Sequence, residues 1–302
     1  MSGEAANQSN ATTRGGGVVI YNPAAGRGKT APLRGQAEQR LGAGWEWRPT
    51  ERPGHAVGLA RQAASEGWPT VAAFGGDGTV GDVARGIVDS DSALGIIPMG
   101  TGNDVARNLG LPLDLAVACD TLKAGKTRRV DMGTINGTPF LNNAGTGFEA
   151  RVMEVMNTSI RFVRGKPAFI LGILKMFPSF QPFQLTLSRD GGAPETILAM
   201  MLSILNGTMY GAGMKACPDA LIDDGELDVL VITAMPKTKL LALFPKVIAG
   251  EHVGHPAVQL FRAKQLTLSC DPPQPLNVDG DVSGTTPATI AVRPAALKVI
   301  AP

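Results

Sequence analysis

Val71-Ala72-Ala73-Phe74-Gly75-Gly76-Asp77-Gly78-Thr79-Val80 passes from an apolar, strand-like run into glycines and then into a helix-like sequence. Two neighbours repeat the pattern: VVIYNPAAGRGK at 18–29 and LGIIPMGTGND at 94–104. Such turns present main-chain N–H groups and helix N-termini at one edge of a parallel sheet, where they can receive phosphate oxygens. One turn of this kind is a weak signal. Three in order, with Asn22, Asp77 and Asp104 as polar members, point to a nucleotide-phosphate site.

Around these turns, strands are expected at 17–21, 45–50, 70–74 and 94–97. They alternate with helices expected at 31–41, 55–66, 80–88, 103–109 and 114–124. Alternation implies right-handed crossovers and a doubly wound parallel sheet whose ligand lies at the strand C-terminal edge. After about residue 127 the texture changes. Strands are expected at 127–135, 138–144, 183–189, 196–205, 227–233, 264–269 and 288–293, interrupted by helices near 149–157, 167–177 and 236–249. The expected fold class is therefore α/β, with a second, mainly antiparallel β-domain. The division reads as a polar, disordered tail at 1–16, an α/β domain at 17–133, and a β-rich domain at 134–294. Residues 295–302 are expected to return to the first domain.

The 302 residues are 44% hydrophobic and 18% charged, with a net charge of +2. That balance suits a globular protein with ample core and gives no strong general attraction to nucleic acid or anionic lipid. Cys119, Cys217 and Cys270 are far apart and lack a CxxC spacing, which argues against a disulfide framework or zinc site and for a reducing cytoplasm. His252 and His255 read as an exposed loop, and the three tryptophans as packing. No run has the apolar length of a membrane span.

The GGDG turn is shared by NAD kinases, lipid kinases and, as a variant, phosphofructokinases; the flanking turns discriminate. Asn22-Pro23-Ala24-Ala25-Gly26 and Pro98-Met99-Gly100-Thr101-Gly102-Asn103-Asp104 resemble the diacylglycerol kinase catalytic superfamily, which includes sphingosine, ceramide and bacterial lipid kinases. The stretches Pro218–Val229 and Asn277–Asp281 extend the resemblance, which implies a β-sandwich for the second domain. It implies ATP contacts at Asn22, Thr50, Gly76, Asp77, Gly78, Thr79, Thr101 and Asn103. It further implies Mg²⁺ on the Asp224 carboxylate and the carbonyls of Leu221 and Glu226; hard cations prefer such oxygen ligands. Asp131 would lie at the active centre near the acceptor headgroup, and Asp281 would stand at the position of a general base that is normally glutamate. The chain also departs from the family at Gly81-Asp82, where relatives commonly carry Asn-Glu.

The expected reaction is ATP-dependent phosphorylation of a lipid alcohol such as diacylglycerol or a sphingoid-like alcohol. Glycine loops, Mg²⁺ and a carboxylate base meet what phosphoryl transfer requires, which is positioning and charge neutralisation. An NAD kinase-like enzyme and a catalytically silent lipid- or nucleotide-binding protein are the alternatives. Access to a bilayer lipid calls for peripheral membrane contact. Phe162, Phe169, Ile170, Ile173, Leu174 and Phe177 are apolar candidates for it, beside Arg161, Arg164, Lys166 and Lys175; core packing is the competing reading. The residues leave oligomeric state open, a homodimer included.

Overall fold

The structure is a computed structural model and describes residues 15–23, 30–159 and 166–302. Its first part is built on parallel strands β1 (Gly17–Tyr21), β2 (Trp45–Pro49), β3 (Thr70–Gly75) and β4 (Ala93–Pro98) in the order β2-β1-β3-β4. Successive side chains of a strand point to opposite faces, and here both faces are covered. Val18, Ile20, Val71, Ala73, Leu94 and Ile96 pack with helices α2 (His55–Ser65) and α3 (Asp77–Ile87). Val19, Tyr21, Ala72, Phe74 and Ile97 pack with α1 (Thr30–Leu41) and the later helix α5 (Leu115–Ala124). Between them in sequence lies the short α4 (Asp104–Asn108). Two separate cores on one sheet are the mark of a doubly wound fold.

The remaining strands are joined mainly by antiparallel pairing: β5 (Thr127–Ile135), β6 (Thr138–Phe140), β7 (Asn143–Gly147), β8 (Phe183–Arg189), β9 (Glu195–Leu205) and β10 (Leu227–Thr233) come first. They are followed by β11 (Val258–Ala263), β12 (Gln265–Asp271), β13 (Pro275–Val278), β14 (Asp281–Thr285) and β15 (Ala288–Ile300). With helices α6 (Phe148–Ser159), α7 (Lys166–Met176) and α8 (Lys237–Ala249) they enclose the largest core, centred on Phe148, Leu185, Leu202 and Leu230. Strand β15 joins the two parts. Its first half pairs antiparallel with β12, and beyond a bulge at Arg293–Leu297 its residue Val299 pairs parallel with Leu94 of β4.

Two local expectations are corrected. The strand expected at 138–144 is broken into β6 and β7, because the N–H groups of Leu141, Asn142 and Asn143 turn to the Asp279 carboxylate. His252 is fully buried rather than exposed, with Nε2 2.9 Å from the Ala216 carbonyl. Ile173 and Phe177 pack against the core, whereas Leu171 and Leu174 on α7 are 44% and 63% exposed. Phe162, Arg161 and Arg164 lie outside the described residues, as do the side chains of Lys166, Phe169 and Ile170. No described helix is long and apolar enough to cross a membrane.

Candidate active site

The parallel register brings the C-terminal ends of four strands into one row. Thr50 donates its N–H to the Tyr21 carbonyl (2.8 Å), so the ends of β2 and β1 run on together into Thr50 and Asn22. The β3–α3 and β4–α4 turns lie beside them. Met99 donates to the Gly75 carbonyl at 2.8 Å, and the two turns then meet glycine against glycine. A Cβ on Gly100 would lie 2.6 Å from Gly76 Cα, a separation no side chain tolerates. Glycine is needed here for close backbone approach, because neither residue has a left-handed φ.

Within the joined turns the carboxylates are unevenly used. Asp77 is the first residue of α3, and its Oδ1 accepts the Val105 N–H at 3.0 Å, fastening α3 to α4. Thr79 packs over Gly75, while Gly78 is exposed with open space about its Cα. Thr101 is exposed at the tip of the second turn. The side-chain amide of Asn103 is spent locally: it accepts from Gly100 N–H (2.8 Å) and donates to Gly100 carbonyl (2.9 Å), holding Asn103 at φ 52°. A nucleotide contact from Asn103 would therefore fall to its main chain.

Asp104 is only 2% exposed, and its Oδ2 accepts the Ala212 N–H at 2.7 Å. Its Oδ1 is buried without a hydrogen-bond partner. Burial pushes this carboxyl above the usual range, opposed by the main-chain N–H groups of Ala212 and Gly213, while the charge of Asp77 adds to the rise. Sequence reading took Asp104 for a helix-terminal charge or phosphate-site member; its link to the 210–214 turn becomes visible only in three dimensions.

The β-rich part reaches α3 through the β13–β14 hairpin. Val278 pairs with Asp281, so Asp279 and Gly280 form a two-residue turn, with φ of 49° and 93°. Both central residues lie in the left-handed region, as a type I′ turn demands. The Asp279 carboxylate accepts from Leu141 (3.0 Å), Asn142 (2.9 Å) and Asn143 (3.1 Å). Arg85 of α3 reaches the same carboxylate at 3.5 Å and pairs closely with Asp82. A Cβ on Gly81 would lie 3.1 Å from Asp279 Oδ2, so the absence of a side chain at Gly81 makes room for the hairpin. Asp281, first residue of the return strand, is exposed, and its charge falls on Asp82. Asp82 is held above the usual carboxylate range, first by burial and in smaller part by Asp281, with Arg85 opposing.

Asp131 lies apart from this pair of elements. Its Oδ2 accepts the Gly225 N–H and its Oδ1 the Ala295 N–H, both at 2.6 Å. At 2% exposure with both oxygens committed, it is an anchor that fixes the acidic loop to the bulge of β15, rather than a free carboxylate facing an acceptor. Its main-chain carbonyl is held in turn by Asn206, which also donates to the Leu141 carbonyl. The sequence analysis also passed over Glu149. This carboxyl is buried among Ser203 (2.5 Å), Tyr210 and Asn277 (3.5 Å), and burial holds it above its usual range.

The acidic loop places Leu221 on the surface and Asp224 beside Gly225. Asp224 Oδ1 accepts the Glu226 N–H at 3.1 Å, and Oδ2 lies 3.6 Å from Arg262 Nη1. Four residues on, Asp228 Oδ2 is buried and unpartnered. The described residues contain no group of three or more His, Cys, Asp or Glu side chains able to hold a metal. One carboxylate oxygen with main-chain carbonyls, in a loop carrying unneutralised charge, nevertheless fits a hard cation.

Two family models match the chain one after the other. Residues 17–135 match the model of the diacylglycerol kinase catalytic domain. Residues 142–301 match that of the YegS C-terminal NAD kinase beta sandwich-like domain. The chain is 30% identical over 275 residues to a diacylglycerol kinase of Bacillus subtilis, covering 89% of this chain and 90% of that one. To a diacylglycerol kinase of Mycobacterium tuberculosis it is 36% identical over 251 residues, covering 81% and 80%. A crystal structure of a diacylglycerol kinase from Bacillus anthracis superposes with a TM-score of 0.72 at 22% identity, covering 94% of this chain and 96% of the other, and supports the fold. The chain belongs to the diacylglycerol kinase family. It is an ATP-dependent lipid kinase, a transferase; the NAD kinase-like and silent-binding alternatives are not favoured.

Proposed function

We propose that this enzyme moves the γ-phosphate of ATP to the hydroxyl of diacylglycerol or a closely similar lipid alcohol, in the cleft between the joined glycine turns and the β13–β14 hairpin. The observation that carries this reading is the contact of Gly76 with Gly100 at the sheet edge, with the hairpin docked on the same α3 helix. Main-chain N–H groups of the Gly76–Thr79 and Gly100–Asn103 turns would receive phosphate oxygens, and Asn22 and Thr50 would bound the nucleotide along the row. Asp77 would orient the phosphates. Asp281 would take the hydroxyl proton as the acceptor attacks phosphorus and the bond to the ADP oxygen breaks. Asp131 would serve by holding the frame, and Asp224 with the carbonyls of Leu221 and Glu226 would hold Mg²⁺. Such an ion supplies charge neutralisation to the acidic loop.

The test is transfer of label from γ-labelled ATP to a panel of lipid alcohols, read in the organic phase, with NAD as a competing acceptor. Label on diacylglycerol is the expected result. Label on NAD alone would sink the assignment.

Peripheral membrane contact belongs to the same reading. Leu171 and Leu174 on α7, with Leu241 and Ile248 on α8, are at least 44% exposed. The only charged residues of these two helices are the lysines 166, 175, 237, 239 and 246, which suits an anionic bilayer. Leu171→Glu combined with Leu174→Glu should lower co-sedimentation with anionic vesicles about tenfold, with phosphorylation of a soluble short-chain substrate retained. Unchanged co-sedimentation of the folded variant would remove α7 from the docking surface.

A further inference from the structure

Arg262, on β11, clamps the whole acidic loop. Its Nη2 donates to the Asp219 carbonyl at 2.8 Å, its Nε to Asp228 Oδ1 at 3.2 Å, and its Nη1 lies 3.6 Å from Asp224 Oδ2. The loop needs this charge: Asp223, Asp224, Glu226 and Asp228 are close together, and the other recorded cation is Arg128, 3.4 Å from Asp223. The oxygen of Asp224 that carries no recorded hydrogen bond is the one facing Arg262. A divalent ion on that oxygen would thus meet a guanidinium only a few ångströms away, and the two like charges would oppose each other.

The guanidinium has somewhere else to go. Asp228 Oδ2 is buried with no partner, while Oδ1 of the same carboxylate already accepts from Arg262. Turning Nη2 from the Asp219 carbonyl to Asp228 Oδ2 would set Nε and Nη2 on the two oxygens of one carboxylate, the two-pronged pairing that arginine and carboxylate prefer, and carry Nη1 away from Asp224.

We propose that Arg262 is an internal rival of the divalent cation, neutralising Asp224 in the metal-free protein and withdrawing onto Asp228 when metal binds. The inference rests on the metal reading above and adds a residue that no ligand list would contain. It gives the loop two neutralised states, one without metal and one with it. Metal affinity is then set partly by what Arg262 gives up at Asp224.

Mn²⁺ binding to the nucleotide-free protein, read from loss of the free-ion electron paramagnetic resonance signal, tests this without reference to activity. Arg262→Gln should bind Mn²⁺ roughly 5–150-fold more tightly than wild type, the usual range of coupling between two linked events. Asp224→Asn placed in the Arg262→Gln background should abolish the gain. Equal affinity in wild type and Arg262→Gln would overturn the rivalry while leaving the metal site standing. Absence of binding by both would remove the metal reading and the inference with it. A measurement on the unaltered protein guards against a variant that fails to fold. Titration with Mg²⁺ should shift the ¹⁵N–¹H resonance of Arg262 Nε saturably, and a resonance that stays fixed while Mg²⁺ binds overturns the proposal.

Discussion

Gly100→Ala should lower kcat/KM for ATP by about a hundredfold, the loss that follows when reacting groups are misplaced by about 1 Å. The added methyl would lie 2.6 Å from Gly76 Cα and 2.8 Å from Asn103 Oδ1. The first obstacle is main chain, so the two phosphate-receiving turns must separate. The second is the oxygen that holds the Gly100 N–H, so the Asn103 clasp opens as well. Both cores of the doubly wound sheet lie behind this edge, and the variant should remain folded. Gly35→Ala is the matched control, because nothing lies within 4 Å of its added Cβ. A Gly100→Ala enzyme with unaltered kcat/KM for ATP would show that the nucleotide does not use the joined turns.

Asp281→Asn should lower turnover by about 10²–10⁴-fold, the ordinary contribution of general-base assistance, with ATP affinity unchanged. The carboxylate stands on a firm base. Asp279, two residues earlier, accepts three main-chain N–H groups, and Arg85 ties the same carboxylate to α3. Asparagine keeps the shape of the side chain and loses the proton acceptor. Aspartate is shorter by one methylene, about 1.5 Å, than the glutamate that the family resemblance implies at this position. The hairpin packs close to α3 where Gly81 has no side chain. Asp281→Glu should accordingly retain or raise activity. Parent-level turnover in a folded Asp281→Asn variant would move the base elsewhere, with Asp77 the next candidate.

The turns were legible in the sequence because glycine is demanded there by local geometry. Apolar runs ending in Gly75-Gly76 and in Gly100-Thr101-Gly102 announced both the parallel sheet and its working edge. Strands β8 and β10 were equally plain, the first by its alternation of apolar and polar residues and the second by its nearly continuous apolar run. What was not legible depends on partners far away in the chain. The break between β6 and β7 is made by a carboxylate more than 130 residues later, and no local propensity encodes it. Asp131 reads as a lone strand aspartate until Gly225 and Ala295 arrive at its two oxygens. Asn103 looks like a nucleotide contact until its amide is found bonded to Gly100. Strand β11 was missed because only Ala263 among its residues is buried, which leaves little apolar pattern to read. The Asp-Gly pair at 279–280 did carry a usable signal, since two adjacent residues suited to positive φ mark a tight hairpin.

The most direct measurement is rapid-quench single turnover from γ-labelled ATP to diacylglycerol in anionic vesicles, with ATP affinity determined on the same samples of wild type and Asp281→Asn. The expected result is label on the lipid with wild type, transfer slowed at least about a hundredfold in the variant, and matching ATP affinities. Equal transfer rates in the two proteins, or no label on lipid with wild type, would contradict carboxylate-assisted phosphorylation of a lipid hydroxyl in this cleft.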